Sequence, residues 1–308
     1  MPNPTITSSS YAGEFAGKYL AASLLTAKTL DDAAITILPN IKFKAAMKVG
    51  AFSNLVRSAD CDFDSTTSGL TLTEKVLTPT ELQVNLQICK KELHADWEAA
   101  QMGFSAFDSL PPLFSDFVIA RVAAEVASAT ETSIWQGSSG EGNFDGFRTL
   151  AIADSTVSDI SGTTVTSANV VAELGKVVDA MPSGVYGADD VYLYVSQNIF
   201  KAYIRALGGF AATNSGVDAK SHTFYQGGEL SFDGVKLYPS SGFPDNCAIA
   251  ARASNLYFGT GLLNDRNEVK VIDMSDIDGS QNVRVVMRYT AGVQIGVGAD
   301  VVLYDPSV

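Results

Sequence analysis

The residues that could carry chemistry are few and scattered. The chain holds two histidines, His94 and His222, and three cysteines, Cys61, Cys89 and Cys247. His94-Ala95-Asp96 sets a potential base near a carboxylate that could orient it, the pairing that acid–base catalysis uses. Helix residues two apart do not face each other, however, so the plain reading is a polar helix start. His222 sits with Ser221 and Tyr225 in a polar stretch, and no serine occupies a nucleophile-elbow pattern. The cysteines form no Cys-x-x-Cys pair, which leaves a zinc site or a disulfide framework without support. Asp273, Asp276 and Asp278-Gly279 echo a calcium loop. Their spacing is wrong and no glutamate stands at its twelfth position, so a solvated acidic turn is read instead. Gly296-Val297-Gly298 lies among strand residues without the third glycine of a dinucleotide site. No catalytic, cofactor-binding or metal-binding set is expected, and no enzyme.

Asp60, Asp62 and Asp64 form a different pattern. In a strand they share one face, where like charges repel unless paired. Two readings stand: a charged edge that blocks aggregation, or an intersubunit contact with Arg or Lys of a neighbouring copy.

The elements that must position these residues follow from composition and periodicity. The chain has 308 residues, 46% of them hydrophobic and 18% charged, enough for two compact domains or one with large excursions. With 21 basic residues against 34 acidic ones and a net charge of −13, sequence-specific nucleic-acid binding is not expected. No apolar run is long enough to cross a membrane as a helix, and no signal-peptide pattern is visible.

Residues 1–40 read as an arm with too little apolar surface to fold on itself, so it is expected to pack elsewhere, on a neighbouring chain for example. Residues 41–93 alternate with period two on both sides of a turn-rich stretch, Asp60 to Gly69. They predict a long two-stranded hairpin, marginal on its own. Leu113 to Trp135 carries Phe114, Phe117, Val118, Val122 and Val126 at helical spacing, the longest element predicted. Thr/Ser/Asp-rich residues 143–166 suggest short strand pieces such as Gly162 to Val165. A second helix is expected after a Ser167 cap, then a strand at Val191–Val195 and a third helix from Ser196. The remainder reads as strands: Val235–Tyr238, Ala248–Ala251, Leu256–Gly259, Val269–Ile272, the alternating run from Val283, and Val301–Tyr304.

This order of parts resembles the major capsid proteins of tailed bacteriophages, whose fold is named after the Hong Kong ninety-seven phage. The resemblance spans nearly the whole chain. It is carried by Thr29-Leu30-Asp31 through Leu38-Pro39-Asn40-Ile41-Lys42-Phe43-Lys44, by the helix–strand–helix run Ala168 to Leu207, by Phe232-Asp233-Gly234-Val235-Lys236-Leu237-Tyr238-Pro239, and by Ala250 to Phe258.

The resemblance implies an α+β fold with an N-terminal arm (1–40) and an extended hairpin loop (41–93). It implies a peripheral domain (94–184 and 276–308) holding a spine helix (113–135), and an axial domain (185–275). It further implies hexamers and pentamers in an icosahedral shell around double-stranded DNA, hence a virion location after assembly in the host cytoplasm. Expected partners are the chain itself, a separate scaffold protein, a portal and a decoration protein. The separate scaffold follows because Met1 lies close to the arm. Some relatives cross-link through a lysine on the extended loop; here no lysine lies between Lys48 and Lys75, so no cross-link is expected. The rival readings are an encapsulin-type compartment holding a cargo enzyme, an acidic enzyme without a recognisable motif, and another virion part.

Overall fold

The computed structural model describes residues 28–32, 34–41, 43–52, 58, 61, 70–89, 112–140, 142–207, 230–261 and 270–307. The strands are β1 (Thr36–Leu38), β2 (Ala45–Phe52), β3 (Leu70–Leu77), β4 (Thr80–Cys89), β5 (Ser158–Ser161), β6 (Val191–Ser196), β7 (Ser231–Phe232), β8 (Val235–Ser240), β9 (Ala248–Arg252), β10 (Leu256–Thr260), β11 (Lys270–Asp273), β12 (Asn282–Ile295) and β13 (Val302–Asp305). Helices occupy Lys28–Asp31, Pro112–Gln136, Phe147–Ala153, Val170–Asp179, Gln197–Ala206 and Ser275–Asp278.

Three sheets organise these elements. In the six-stranded sheet the order is β5-β13-β9-β6-β8-β7. Its central strand β6, Val-Tyr-Leu-Tyr-Val-Ser, is buried at every position but Tyr192, which is why it reads as a continuous apolar run. Val170, Leu174 and Val177 of one helix and Ile199, Ala202 and Tyr203 of the next cover one face of it. The five-stranded sheet is built on β12. Along one side β12 pairs with β10 and β11, and along the other it pairs with all of β4. Beyond β10 lies β1, in parallel. The third sheet is the isolated ribbon β2–β3.

The long helix, Pro112–Gln136, is about 37 Å of rod. It packs Val122 and Val126 on Val285 and Met287 of β12. In its last turn, Ile134 and Trp135 are fully buried in a core shared by both large sheets, with Phe258 and Ile295 from one and Tyr194, Ile249 and Leu303 from the other. Trp135 stacks at centroid distances of 4.4 Å on Phe243, 5.0 Å on Tyr194 and 5.5 Å on Phe147. The helix is therefore a beam joining the sheets.

Several sequence expectations are corrected. Residues 80–89 do not continue the two-stranded hairpin. They form β4 and pair with β12, because Leu82, Val84 and Ile88 gain a helix-covered face there. Residues 28–38 of the expected arm dock on their own body: β1 joins β10, and Leu30, Ala34 and Ile35 are buried. Residues 1–27 lie outside the described residues. The strand piece expected at Gly162–Val165 is irregular. Thr163 N–H donates to Tyr304 Oη at 2.9 Å and Val165 N–H to Asn246 Oδ1 at 2.8 Å, so side chains take the bonds a ladder would have used. The strand lies earlier, at Ser158–Ser161, and a seven-residue helix at Phe147–Ala153 was not anticipated. The second helix begins at Val170 after Asn169, rather than after Ser167. Strands β5 and β13 belong with the 191–252 strands, while β10 and β11 belong with β12.

One buried polar cluster fastens the N-terminal segment to the beam. Glu131 is fully buried. Its carboxylate accepts from Thr29 Oγ1 (2.6 Å), Thr29 N–H (3.3 Å), Trp135 Nε1 (3.3 Å) and Ser240 Oγ (3.2 Å). Trp135 Nε1 also donates to Thr29 Oγ1 at 2.9 Å, and Gly242 N–H to Ser240 Oγ at 3.2 Å. A Cβ on Gly242 would sit 2.2 Å from the Glu131 carbonyl oxygen, so no side chain fits where β8 turns past the helix. Burial raises the Glu131 pKa, against the lowering effect of its four donors.

Glu131→Ala removes the acceptor from donors held in a dry site and is expected to cost about 3 kcal/mol in urea unfolding. Because folding raises this pKa above its ordinary 4.5, the folded state holds the proton more tightly. The group's contribution is thus greatest below the unfolded value and declines as pH rises through the folded one. The stability of wild type relative to Glu131→Gln should therefore fall between pH 4.5 and neutrality; a difference that rises with pH contradicts this assignment.

Candidate functional site

Among the described residues the ribbon β2–β3 pairs with no third strand, and a lone two-stranded ribbon is marginal in water. Pairing of Lys48 with Glu74 and Gly50 with Leu72 sets its register. One face carries Ala46, Lys48 and Gly50 opposite Val76, Glu74 and Leu72. Leu72 is 61% exposed and Val76 38%, while Phe43, before the ribbon, is 75% exposed. Apolar side chains left in water along an unsupported ribbon are the mark of a surface that awaits a partner.

The root of the ribbon is clamped. Leu77 is 1% exposed, and a Cβ on Gly259 would come within 2.3 Å of its Cδ2 and 2.8 Å of Ile41 Cδ1. A residue larger than glycine at 259 would push the root outward. Gln294 Nε2 donates to the Val76 carbonyl at 2.9 Å. Lys75 Nζ donates to Asp154 Oδ2 at 2.6 Å, just past the Phe147–Ala153 helix. The Lys75 hydrogen bond, helped by Thr156, lowers the Asp154 carboxyl to about 2. The pair joins residues 79 positions apart, so no local spacing signalled it. The alternating pattern did place Lys75 in a strand; Asp154 carried no signal.

Several other charged groups of the body are paired within it. Arg148 bonds Asp305 through Nε, while its second nitrogen reaches Ser307 Oγ at 2.7 Å. Burial pushes the Asp305 pKa up, but Arg148 and Ser307 outweigh it and hold the carboxyl below its ordinary value. Cys247 beside them is buried, its thiol pushed up to about 12 chiefly by desolvation, so it is an inert core group. Glu173 accepts from Lys176 and from Tyr304 Oη (2.8 Å), and Asp190 from Arg252 and Ser254.

The described residues among those singled out in the sequence do not converge. Asp60, Asp62, Asp64, His94 and His222 lie outside the described residues. Asp273 accepts from the N–H (3.0 Å) and Oγ (2.7 Å) of Ser275, and Asp278 from the N–H of Ser280 at 2.9 Å, so both close turns. Gly296 and Gly298 allow close packing, against Asn255 and against Asp154 and Thr156 respectively. No group of His, Cys, Asp and Glu suited to a metal occurs among the described residues. No described helix is long and apolar enough to cross a membrane. An open cleft of ≈ 450 Å³ lies between the 186–191 and 233–236 loops, bridged by Tyr186 Oη donating to the Asp233 carbonyl at 2.9 Å.

No family model and no curated protein matches the chain. Solved structures do match. The capsid of a native GTA particle aligns over 97% of this chain and 95% of its own, with a TM-score of 0.64 at 14% identity. A Gordonia phage Cozz chain aligns over 99% and 97% (TM-score 0.59, 12% identity), and the capsid of cyanophage P-SCSP1u over 96% and 92% (TM-score 0.56, 14% identity). The α+β fold expected from the sequence, that of tailed-phage capsid proteins, is the fold of this chain.

Lys75→Met should free the ribbon at its root without unfolding the body. Amide exchange at Ala46–Val49 and Thr73–Val76 is expected to accelerate about tenfold. Global stability should move by less than about 1 kcal/mol, as for partly exposed pairs. Unchanged exchange would show that Leu77 and Gln294 hold the root without the ion pair.

Proposed function

We propose that the chain is the subunit of a phage-type capsid, a structural protein of the virion that works by assembling rather than by chemistry. The observation that carries this reading is the pairing of a capsid fold over nearly the whole chain with a clamped ribbon whose Leu72 and Val76 are left in water. An exposed Leu72 or Val76 is costly in a free monomer and useful where a second copy covers it.

In this reading copies form the hexamers and pentamers of an icosahedral shell that encloses double-stranded DNA. The ribbon reaches across a neighbour. The six-stranded sheet with its two covering helices is the axial unit. The beam and the five-stranded sheet are the peripheral unit. These boundaries shift strands β5 and β13 to the axial unit and β10 and β11 to the peripheral one, relative to the division at 185–275. A chain of net charge −13 does not grip phosphates, which suits a wall around DNA that must leave again. A separate scaffold protein, a portal and a decoration protein complete the set of partners.

Electron microscopy of the expressed chain tests the reading. Closed shells holding nuclease-protected DNA in infected or induced cells are the expected result. Shells of the same architecture that carry a protein cargo instead would favour the compartment reading. A chain that stays monomeric at high concentration contradicts both. Leu72→Asp should leave the fold intact by circular dichroism yet reduce shell yield by about tenfold or more, since a charge then faces an apolar contact.

A further inference from the structure

The two faces of the ribbon β2–β3 differ. Side chains alternate along a strand, so even-numbered and odd-numbered positions lie on opposite faces. On the odd face Thr73 is exposed, but Ala45, Met47, Val49 and Lys75 are half-buried and Leu77 is buried. That face turns toward the body, where Lys75 meets Asp154. On the even face Ala46, Lys48, Gly50, Leu72, Glu74 and Val76 are all exposed. They form three cross-strand rows: Ala46 opposite Val76, Lys48 opposite Glu74, and Gly50 opposite Leu72. Steps of two residues spread the rows over about 13 Å. The outer rows each set a small residue of β2 beside a larger one of β3. The middle row sets a cation of β2 beside an anion of β3.

This pattern is complementary to itself. A two-fold axis lying between two stacked ribbons and parallel to their strands exchanges left and right and keeps every row in place. Strand β2 of one copy then lies over β3 of the other. Lys48 faces the second copy's Glu74, and Glu74 faces its Lys48. Gly50 leaves room for the second copy's Leu72, and Ala46 for its Val76. Stacked sheets stand about 10 Å apart, a gap that Lys48, Glu74 and Leu72 bridge from either side. The same faces turned end over end would set Lys48 on Lys48 and Glu74 on Glu74, so charge selects one orientation and rejects the other. We propose that the even face of the ribbon packs on the same face of a second copy of this chain, across a two-fold axis parallel to the strands. This is an isologous contact, in which one patch meets itself. It rests on the shell reading and names the surface that covers Leu72 and Val76. Six residues a side are fewer than a free-standing interface uses, so the contact works as one of several between shell subunits. Another part of the neighbour would need its own match to three rows and two charges; the ribbon already supplies both.

The experiment reverses one charge at a time. K48E and E74K alter exposed positions, and circular dichroism with urea unfolding verifies that each variant folds as wild type does. Each sets like charges against each other twice in the contact. Each should raise the concentration needed for assembly about tenfold, and K48E/E74K in one chain should restore it. Mixing decides the geometry. The K48E face carries two acids and the E74K face two bases, so each repels itself and attracts the other. Mixed, the two proteins should co-assemble in sedimentation near the wild-type concentration, although neither assembles there alone. Rescue in one chain without rescue on mixing confines the pair to a single copy and overturns the proposal. Defects that neither the double variant nor mixing repairs assign the face to a different surface of the neighbour and overturn it as well. Assembly untouched by both folded single variants also overturns it, and leaves the shell reading standing. Wild type that never assembles overturns the shell reading and this contact with it.

Discussion

A buried carboxylate with no cation among its hydrogen-bond partners is the constraint on which the rest of the molecule turns. Glu131 is withdrawn from water and faces two hydroxyls, a backbone N–H and an indole N–H. An ionised acid in a dry site is tolerable only when donors replace its hydration. Those donors come from three distant parts of the sequence: Thr29, the long helix itself, and Ser240 at the end of β8. The cost of burying the charge is therefore offset, in part, only when the N-terminal segment, the beam and the six-stranded sheet are all in place. The cluster specifies arrangement more than it adds stability. It also fixes where Leu30, Ala34 and Ile35 must lie, and through β1 it sets the outer edge of the five-stranded sheet.

The long helix then converts this local arrangement into the geometry of the whole body. One end of its described apolar stripe packs under β12 and the other lies among the aromatics of the shared core. Both large sheets are thus referenced to a single rod, and the ribbon leaves the body at Leu77 against Gly259 of β10, a strand in the same frame. Lys75 and Gln294 add directional contacts at the same point. A lever with exposed apolar side chains transmits a defined position only when its root is rigid, and here the root is held by one buried leucine and two hydrogen-bonded partners from different segments.

Much of this was legible in the sequence wherever periodicity was strong and local. The beam was placed to within a residue at each end because 3.6-residue spacing persists over many turns. Strands β6, β8, β9, β10 and β12 were found through their apolar runs or alternation. What escaped was set by tertiary packing. The Phe147–Ala153 helix has Gly146 before it and no side-chain cap, and it exists because Phe147 fills a space beside Trp135. The β4 strand has the same alternation in a ribbon or beside β12, so pattern alone could not choose its partner. The resemblance to phage capsid proteins supplied the global order that no single motif carried. Glu131 was invisible as a site because an acid between helical apolar positions ordinarily faces solvent.

The way charge is distributed follows the same logic. Acids that matter to the folded body are paired at short range: Asp154 with Lys75, Asp305 with Arg148, Glu173 with Lys176, Asp190 with Arg252. Such pairs join segments far apart in sequence in three of the four cases, and each has a partly exposed cation, so their strength is moderate and responsive to salt. Cohesion within the subunit comes instead from the shared aromatic core, which salt does not weaken.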